Sequence, residues 1–342
     1  MGVNLTPIIV SRIIDLNILR RRALAVDAFN VLHQFLALIR TPGGSPLTDR
    51  HGHVTSHLVG LAFRTTRLIA DYRIKPVFIF DGSPPPLKRA EVEKRRSLRR
   101  RAEEEYAEAV KAGDLSTAFS KAVMTGRLTQ DLLDDAKRLL TLLGVPWIQA
   151  PGEGEAQAAY MARKEAAWGV NSRDYDSILF GAPRLVRYVT IQGEKWLPSK
   201  GRARRLEPEL IELEVFLRHH GITREELVDV AILIGTDFNE GIKGIGPKTG
   251  LRLVKEHGRL EELPEAVSAK LPENYNEIRQ IYLEPDVTDD YTVEWGALHV
   301  DELYGFLCGE KDFSKERVEM VVGRMRRFQG QRTLGDWLQE AV

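Results

Sequence analysis

Short apolar runs recur through the first half of the chain, and each ends near a glycine, a proline or an acid. Residues 23–26, 76–80, 145–148 and 168–170 have the length and continuity of strands buried on both faces. Between them apolar positions return at helical spacing over 29–39, 57–72, 128–143 and 155–164. Strand alternating with helix predicts an α/β fold with a mostly parallel central sheet flanked by helices.

One segment breaks the alternation. From residue 88 to about 122 no strand candidate occurs, and the run is first basic (Arg95, Arg96, Arg99, Arg100, Arg101) and then acidic (Glu103, Glu104, Glu105). It reads as a helical insertion standing off the sheet, a pattern shared with any solvated helix laced by i,i+4 ion pairs. Past Thr223 the pattern is helical to Glu256, interrupted by the glycine-rich residues 241–250. Residues 328–342 are too few for a domain and read as a tail.

Composition changes this picture little. The 342 residues allow one large α/β unit or two closely joined ones. At 43% hydrophobic and 29% charged the chain is an ordinary soluble one, not a disordered one. Lys plus Arg and Asp plus Glu are equal at 49 each, so net charge gives no pointer to a polyanion, and the positions of the charges must. The single Cys308 excludes an intrachain disulfide and a thiolate metal cluster, suits a reducing cytoplasm, and is expected to be buried as a small residue. Asp15 and Arg20-Arg21-Arg22 stand where a secretion signal needs an apolar stretch, and no run approaches the ~20 residues of a membrane span. A cytoplasmic protein with no membrane partner is expected.

The chemistry lies in acids that follow apolar runs: Asp27, Asp81, and Asp174 and Asp176 in Asn171-Ser172-Arg173-Asp174-Tyr175-Asp176. Ligands of open α/β sheets bind at the carboxyl ends of the strands, so these side chains should converge on one crevice. Taken singly, an Asp after a strand is more often a helix cap or turn former. Glu153 and Glu155 sit among glycines after the run ending at Ile148, where a turn would aim both at the strand ends, and Asp237 follows Ile232-Leu233-Ile234-Gly235-Thr236. Seven such carboxylates in one crevice repel unless cations neutralise them. An all-oxygen set without His or Cys suits magnesium, with manganese as a substitute, rather than zinc. Two metals about 3.5–4 Å apart are the usual arrangement for phosphodiester cleavage.

In order, Val26-Asp27-Ala28, Phe80-Asp81-Gly82, Gly152-Glu153-Gly154-Glu155-Ala156, Asp174-Tyr175-Asp176 and Gly235-Thr236-Asp237 resemble the flap endonuclease branch of the structure-specific 5′ nucleases. The likeness runs from Met1-Gly2-Val3 to the tail. It implies a PIN-like nuclease unit over 1–327, made of an N-terminal region of about 1–87, a helical cap or arch of about 88–122, an internal region of about 123–240 and a helix-hairpin-helix-like element of about 228–258. The implied activity is two-metal cleavage of DNA at a 5′ flap, with associated 5′–3′ exonuclease action, in replication (Okazaki fragment maturation) and repair. Asp27, Asp81, Glu153 and Glu155 would serve mainly one metal and Asp174, Asp176 and Asp237 the other. Lys88 and Arg95 would act on the scissile phosphate; seven residues make two helical turns, which would point both the same way. His33 stands where the family often has a Tyr that stacks on a base, and Arg173 where Gln is common.

The run 241–250 approaches a nucleotide-binding P-loop, but Pro247 separates Gly246 from Lys248 and no strand is expected before it. It resembles instead the hairpin by which this family holds duplex backbone: Gly244 and Gly246 expose amides, Pro247 suits a first helical position, Lys248 adds charge beside Thr249, and a potassium ion is often held there. Arg40, Arg64 and Arg67 occupy positions the family uses near the downstream 3′ end of its substrate. In the tail, Gln331, Leu334, Trp337 and Leu338 look like the peptide by which replication proteins bind a PCNA-type sliding clamp. The resemblance further implies a monomer associated with the nucleoid. An aspartyl-phosphate phosphatase, a sister nuclease preferring junctions or exonuclease cuts, and a non-catalytic DNA-binding adaptor are the competing readings.

Overall fold

The computed structural model describes residues 2–41, 44–112, 114, 121, 128–190, 193–197 and 202–330. Its central sheet has seven strands: β1 (Arg12–Ile13), β2 (Ala23–Asp27), β3 (Lys75–Phe80), β4 (Trp147–Gln149), β5 (Gly169–Asn171), β6 (Arg184–Arg187) and β7 (Glu209–Glu212). Alternate side chains enter separate cores, because successive residues of a strand point to opposite faces. Leu24, Val26, Phe78, Phe80, Val186 and Leu210 pack on one side. Ala25, Val77, Ile79, Val170, Leu185 and Ile211 pack on the other. Burial on both faces is why β2 and β3 read as unbroken apolar runs.

The strand order is β1-β7-β6-β5-β2-β3-β4. The pairs β2–β3, β3–β4, β2–β5 and β5–β6 are parallel, as expected. From β2 the chain builds outward to β3 and β4 and then, in the other direction, to β5 and β6. The direction of winding therefore reverses between β2 and β5, which opens a crevice at their carboxyl ends. The antiparallel edge formed by β7 with β6 and β1 was not apparent in the sequence. Arg-Leu-Val-Arg and Glu-Leu-Ile-Glu each carry only two apolar residues between charges. A hairpin of Gly193–Leu197 with Arg202–Leu206 is likewise additional.

The expected helices appear as α1 (Ala28–Leu38), then α2 (Ser56–Val59) and α3 (Thr66–Tyr72) joined by a π-helical turn over Gly60–Thr65. Gly60 lies against the Phe35 ring, where an added Cβ would fall 2.1 Å from the ring, so only glycine admits this crossing of α1. The long α4 (Arg89–Lys111) is the helical insertion. It shows the ion pairs of a solvated helix, Arg101 to Glu105 at 3.7 Å and Arg96 to Glu93 at 3.9 Å. Its expected end near residue 122 lies outside the described residues.

Beyond it come α5 (Gln130–Leu142), α6 (Gly154–Arg163), α7 (Asp176–Leu179), α8 (Leu213–His220), α9 (Arg224–Ile234) and α10 (Pro247–His257). Thr223 and Glu226 close a reciprocal capping box at the start of α9. The helices α11 (Tyr275–Leu283) and α12 (Lys315–Gly330) cover the two cores.

Three local expectations are corrected. Residues 328–330, read as tail, continue α12, and the Phe328 ring packs on Trp295 at 4.9 Å between centroids. Cys308 is half-buried rather than buried. A two-residue strand, Asn239–Glu240, does precede the glycine-rich run, but it pairs back on Gly235–Thr236 in a tight hairpin and is not the sheet strand a P-loop requires. Among the described residues no helix is long and apolar enough to cross a membrane.

Candidate active site

Each acid is brought to the crevice by the element that ends there. Asp27 is the last residue of β2 and caps α1, accepting from the Asn30 amide at 2.9 Å, so the capping role and the candidate ligand role fall on one side chain. Its other oxygen accepts from the Ser172 hydroxyl at 3.1 Å. Asp81 follows β3 and accepts from the Gly154 amide at 2.8 Å. A Cβ on Gly154 would stand 2.5 Å from that oxygen, so a larger residue at the start of α6 would displace the carboxylate.

Glu153 caps α6 without a side-chain bond to the helix, and Glu155 lies in its first turn, accepting from the Ser177 hydroxyl at 2.8 Å. The expected turn between these two acids is thus a helix start, whose amide dipoles favour negative charge. Asp174 accepts from the Asn30 side chain at 3.1 Å. Asp176 opens α7 and accepts from the Val3 amide at 3.0 Å. Asp237, in the small hairpin, is 3.5 Å from the Lys88 ammonium, which also pairs with Glu153.

The electrostatics join all of these into one cluster. Burial, with Asp81 and Asp174 nearby, pushes Asp27 up to about 8. Burial with Asp237 and Asp174 pushes Asp176 up to about 7. Glu155 is raised well above the carboxylate range by burial and by Asp176, Asp27 and Asp174. Burial alone would lower the Lys88 pKa, but Glu153, Asp237 and Asp81 outweigh it and hold the ammonium charged. Buried carboxylates that raise one another in this way are partly discharged until cations enter. An all-oxygen, anionic, buried donor set therefore fits hard divalent cations. Among the described residues no three of these acids stand close enough together to hold one ion as they are placed.

Other expected residues are placed as follows. Lys88 lies in a 3-10 turn, Pro86–Lys88, just before α4, so the two-turn helical argument pairing it with Arg95 does not hold as stated. The Arg95 side chain lies outside the described residues, as do Gln331, Leu334, Trp337 and Leu338. His33 is exposed on α1. Arg40 donates to the Gly44 carbonyl at 2.8 Å and Arg64 to the Thr190 carbonyl at 3.2 Å, while Arg67 forms an exposed pair with Asp71. Gly244 adopts φ +90°, open to glycine, and Gly246 caps α10 with Pro247 at its first position, as expected. Lys248 and Thr249 follow in its first turn, and Lys248 is exposed.

The sequence reading missed the shell behind the acids: the amide of Val3, Asn30, Ser172 and Ser177. Gly2 was also missed as a packing residue; a Cβ there would fall 1.9 Å from Asp176. Asn30, three residues after Asp27, was the one available local signal.

Comparison with known proteins bears on this geometry directly. The chain matches the XPG N-terminal domain over residues 1–103 and the XPG I-region over 144–237, which hold six of the seven acids and the seventh at the final position. It is 45% identical over 339 residues to flap endonuclease 1 of Methanosarcina barkeri, covering 98% of this chain and 100% of that protein. With flap endonuclease 1 of Aeropyrum pernix it shares 49% over 337 residues, covering 95% and 94%. The chain belongs to the flap endonuclease family.

The solved flap endonuclease-1 from Methanococcus jannaschii superposes with TM-score 0.75 at 36% identity, covering 97% of this chain and 100% of that one. The catalytic core of Rad2 in complex with DNA substrate, at 22% identity and TM-score 0.66, covers 92% of this chain and 96% of that one and shares the fold. This flap endonuclease is accordingly a structure-specific nuclease that hydrolyses phosphodiester bonds, in a family that uses magnesium, and its substrate is branched DNA.

Proposed function

We propose that this flap endonuclease removes 5′ single-stranded flaps with two magnesium ions held by Asp27, Asp81, Glu153, Glu155, Asp174, Asp176 and Asp237. The observation that carries the reading is the gathering of these acids around Lys88, whose ammonium pairs with Glu153 and Asp237, with Asp27, Asp176 and Asp237 buried. Manganese would substitute for magnesium, and 5′–3′ exonuclease cutting would accompany flap removal in replication and repair. Bound there, the metals supply an activated water and neutralise charge on the phosphate. The acids orient the ions. Lys88 holds its proton against Glu153 and Asp237 and is thereby available as a fixed cation at the scissile phosphate, with Arg95 as its partner. His33, on the exposed face of the helix that Asp27 caps, would stack on a base beside the cut. Cleavage of a labelled 5′-flap oligonucleotide with magnesium, and its loss with chelator, tests the reading; metal-independent cleavage or none at all would reject it.

Duplex contact is assigned to the hairpin 241–250, with Gly244, Gly246, Lys248 and Thr249 meeting phosphate, a potassium ion among its carbonyls, and Arg40, Arg64 and Arg67 at the downstream end. Support comes from the open space around Gly244 and Gly246 and the exposed Lys248 at a helix N-terminus. Lys248→Ala should weaken binding alike on every duplex sequence and reduce the log–log salt slope by about one unit per lost phosphate contact. Fluorescence anisotropy across a salt series measures it, and an unchanged slope would leave the hairpin a structural turn.

The clamp assignment rests on the spacing of Gln331, Leu334, Trp337 and Leu338. Truncation before Gln331 should leave cleavage of an isolated flap oligonucleotide intact and abolish stimulation by the cognate clamp, with Trp337 as the main contributor. Equal stimulation of full-length and truncated enzyme would remove the assignment.

A further inference from the structure

The buried Arg187, the last residue of β6, lies behind the loop that carries Asp174 and Asp176. Its Nε donates to the Arg173 carbonyl at 2.9 Å and its Nη1 to the Tyr175 hydroxyl at 2.6 Å. The guanidinium also stacks over the Tyr175 ring at 4.2 Å. Two further N–H groups are anchored: Nη1 also lies 3.4 Å from Glu209, its Cα partner across β7, and Nη2 donates to the Tyr188 hydroxyl at 2.9 Å. The Tyr175 hydroxyl meets Thr6 at 3.2 Å, close in sequence to Val3, whose amide holds Asp176.

One rigid, planar cation thus grips the backbone before Asp174 and the side chain between the two acids, while the sheet fixes the cation itself. Tyr175 is buried where it meets the guanidinium, while on either side of it Asp174 acts on the charge of Asp27 and Asp237 on that of Asp176. A loop bearing two mutually repelling carboxylates would otherwise spread, and guanidinium suits this task because its donors leave in fixed directions.

We propose that Arg187 is a positioning residue that presets the Asp174–Asp176 pair and so sets the affinity of the metal position those acids serve. The inference rests on the two-metal reading above. Outer partners of metal ligands are worth about 10–100-fold in affinity. The test is Mn2+ titration of the full chain, with unbound ion counted by EPR, and single-turnover cleavage against magnesium concentration. In Arg187→Met one manganese position should weaken by about 10–100-fold and the other hold. The half-saturating magnesium should rise in step, with the rate recovering as magnesium saturates, and metal-free flap binding should stay the same. Tyr175→Phe, which deletes only the hydroxyl link, should move the same position in the same direction by less, and guards against a poorly folded Arg187 variant. Titration curves matching the wild type in both variants would overturn the proposal, as would equal weakening of both positions together with DNA binding. A wild-type chain that does not cut flaps with magnesium would instead reject the two-metal reading, an outcome the same experiment separates.

Discussion

Asp81→Ala and Asp176→Ala are each expected to abolish magnesium-dependent cleavage while leaving flap affinity equal or tighter. Lewis-acid stabilisation is worth several kcal/mol, so single-turnover rates should fall by about 10³-fold or more. Affinity should survive because each change removes an anion near phosphate. Both acids also serve the fold, since Asp81 holds the Gly154 amide and Asp176 the Val3 amide. Asp81→Asn and Asp176→Asn separate the two roles, because Asn retains an acceptor oxygen but loses the charge. If the Asn variants cut like wild type, or if both Ala variants retain substantial activity, the carboxylates are not holding metal. Rapid-quench cleavage with anisotropy in calcium provides both readings.

Lys88→Ala should carry the next largest effect. Removing one preorganised donor from a reacting centre costs about 10²–10³-fold in rate, and affinity for the flap should change far less, as for a contact strengthened in the transition state. A second consequence follows from its burial: without Lys88, Glu153 and Asp237 lose their shared cation. Removing one partner of a buried ion pair costs about 3–5 kcal/mol, an upper bound here because these groups keep some contact with solvent. The variant should therefore melt lower without metal and regain much of the difference when magnesium is added. A drop in affinity with an unchanged single-turnover rate would reduce Lys88 to a phosphate grip.

The parallel strands and the acids at their ends were legible because both signals are local: an unbroken apolar run, then a carboxylate. What could not be read is what depends on partners distant in sequence. Arg184–Arg187 looks like surface chain until β7 supplies Glu209 opposite Arg187. Asn30, Ser172 and Ser177 are ordinary polar residues whose value comes from acids up to 145 positions away. The two-turn argument that joined Lys88 to Arg95 failed for a simpler reason. Helical period was assumed through Lys88, whereas Pro86–Lys88 is a 3-10 turn and the α-helix begins only at Arg89.

The contact of Val3 with Asp176, and the pairing of Arg12 with Leu210, bear on how such an enzyme can be made safely. A ribosome releases the chain from its amino end, yet the first residues find their places only after those near 176 and 210 have emerged, and Asp237 arrives later still. Pairings this distant in sequence form late. A nascent chain therefore carries scattered acids but no crevice, and the power to cut nucleic acid is withheld until synthesis has passed Asp237.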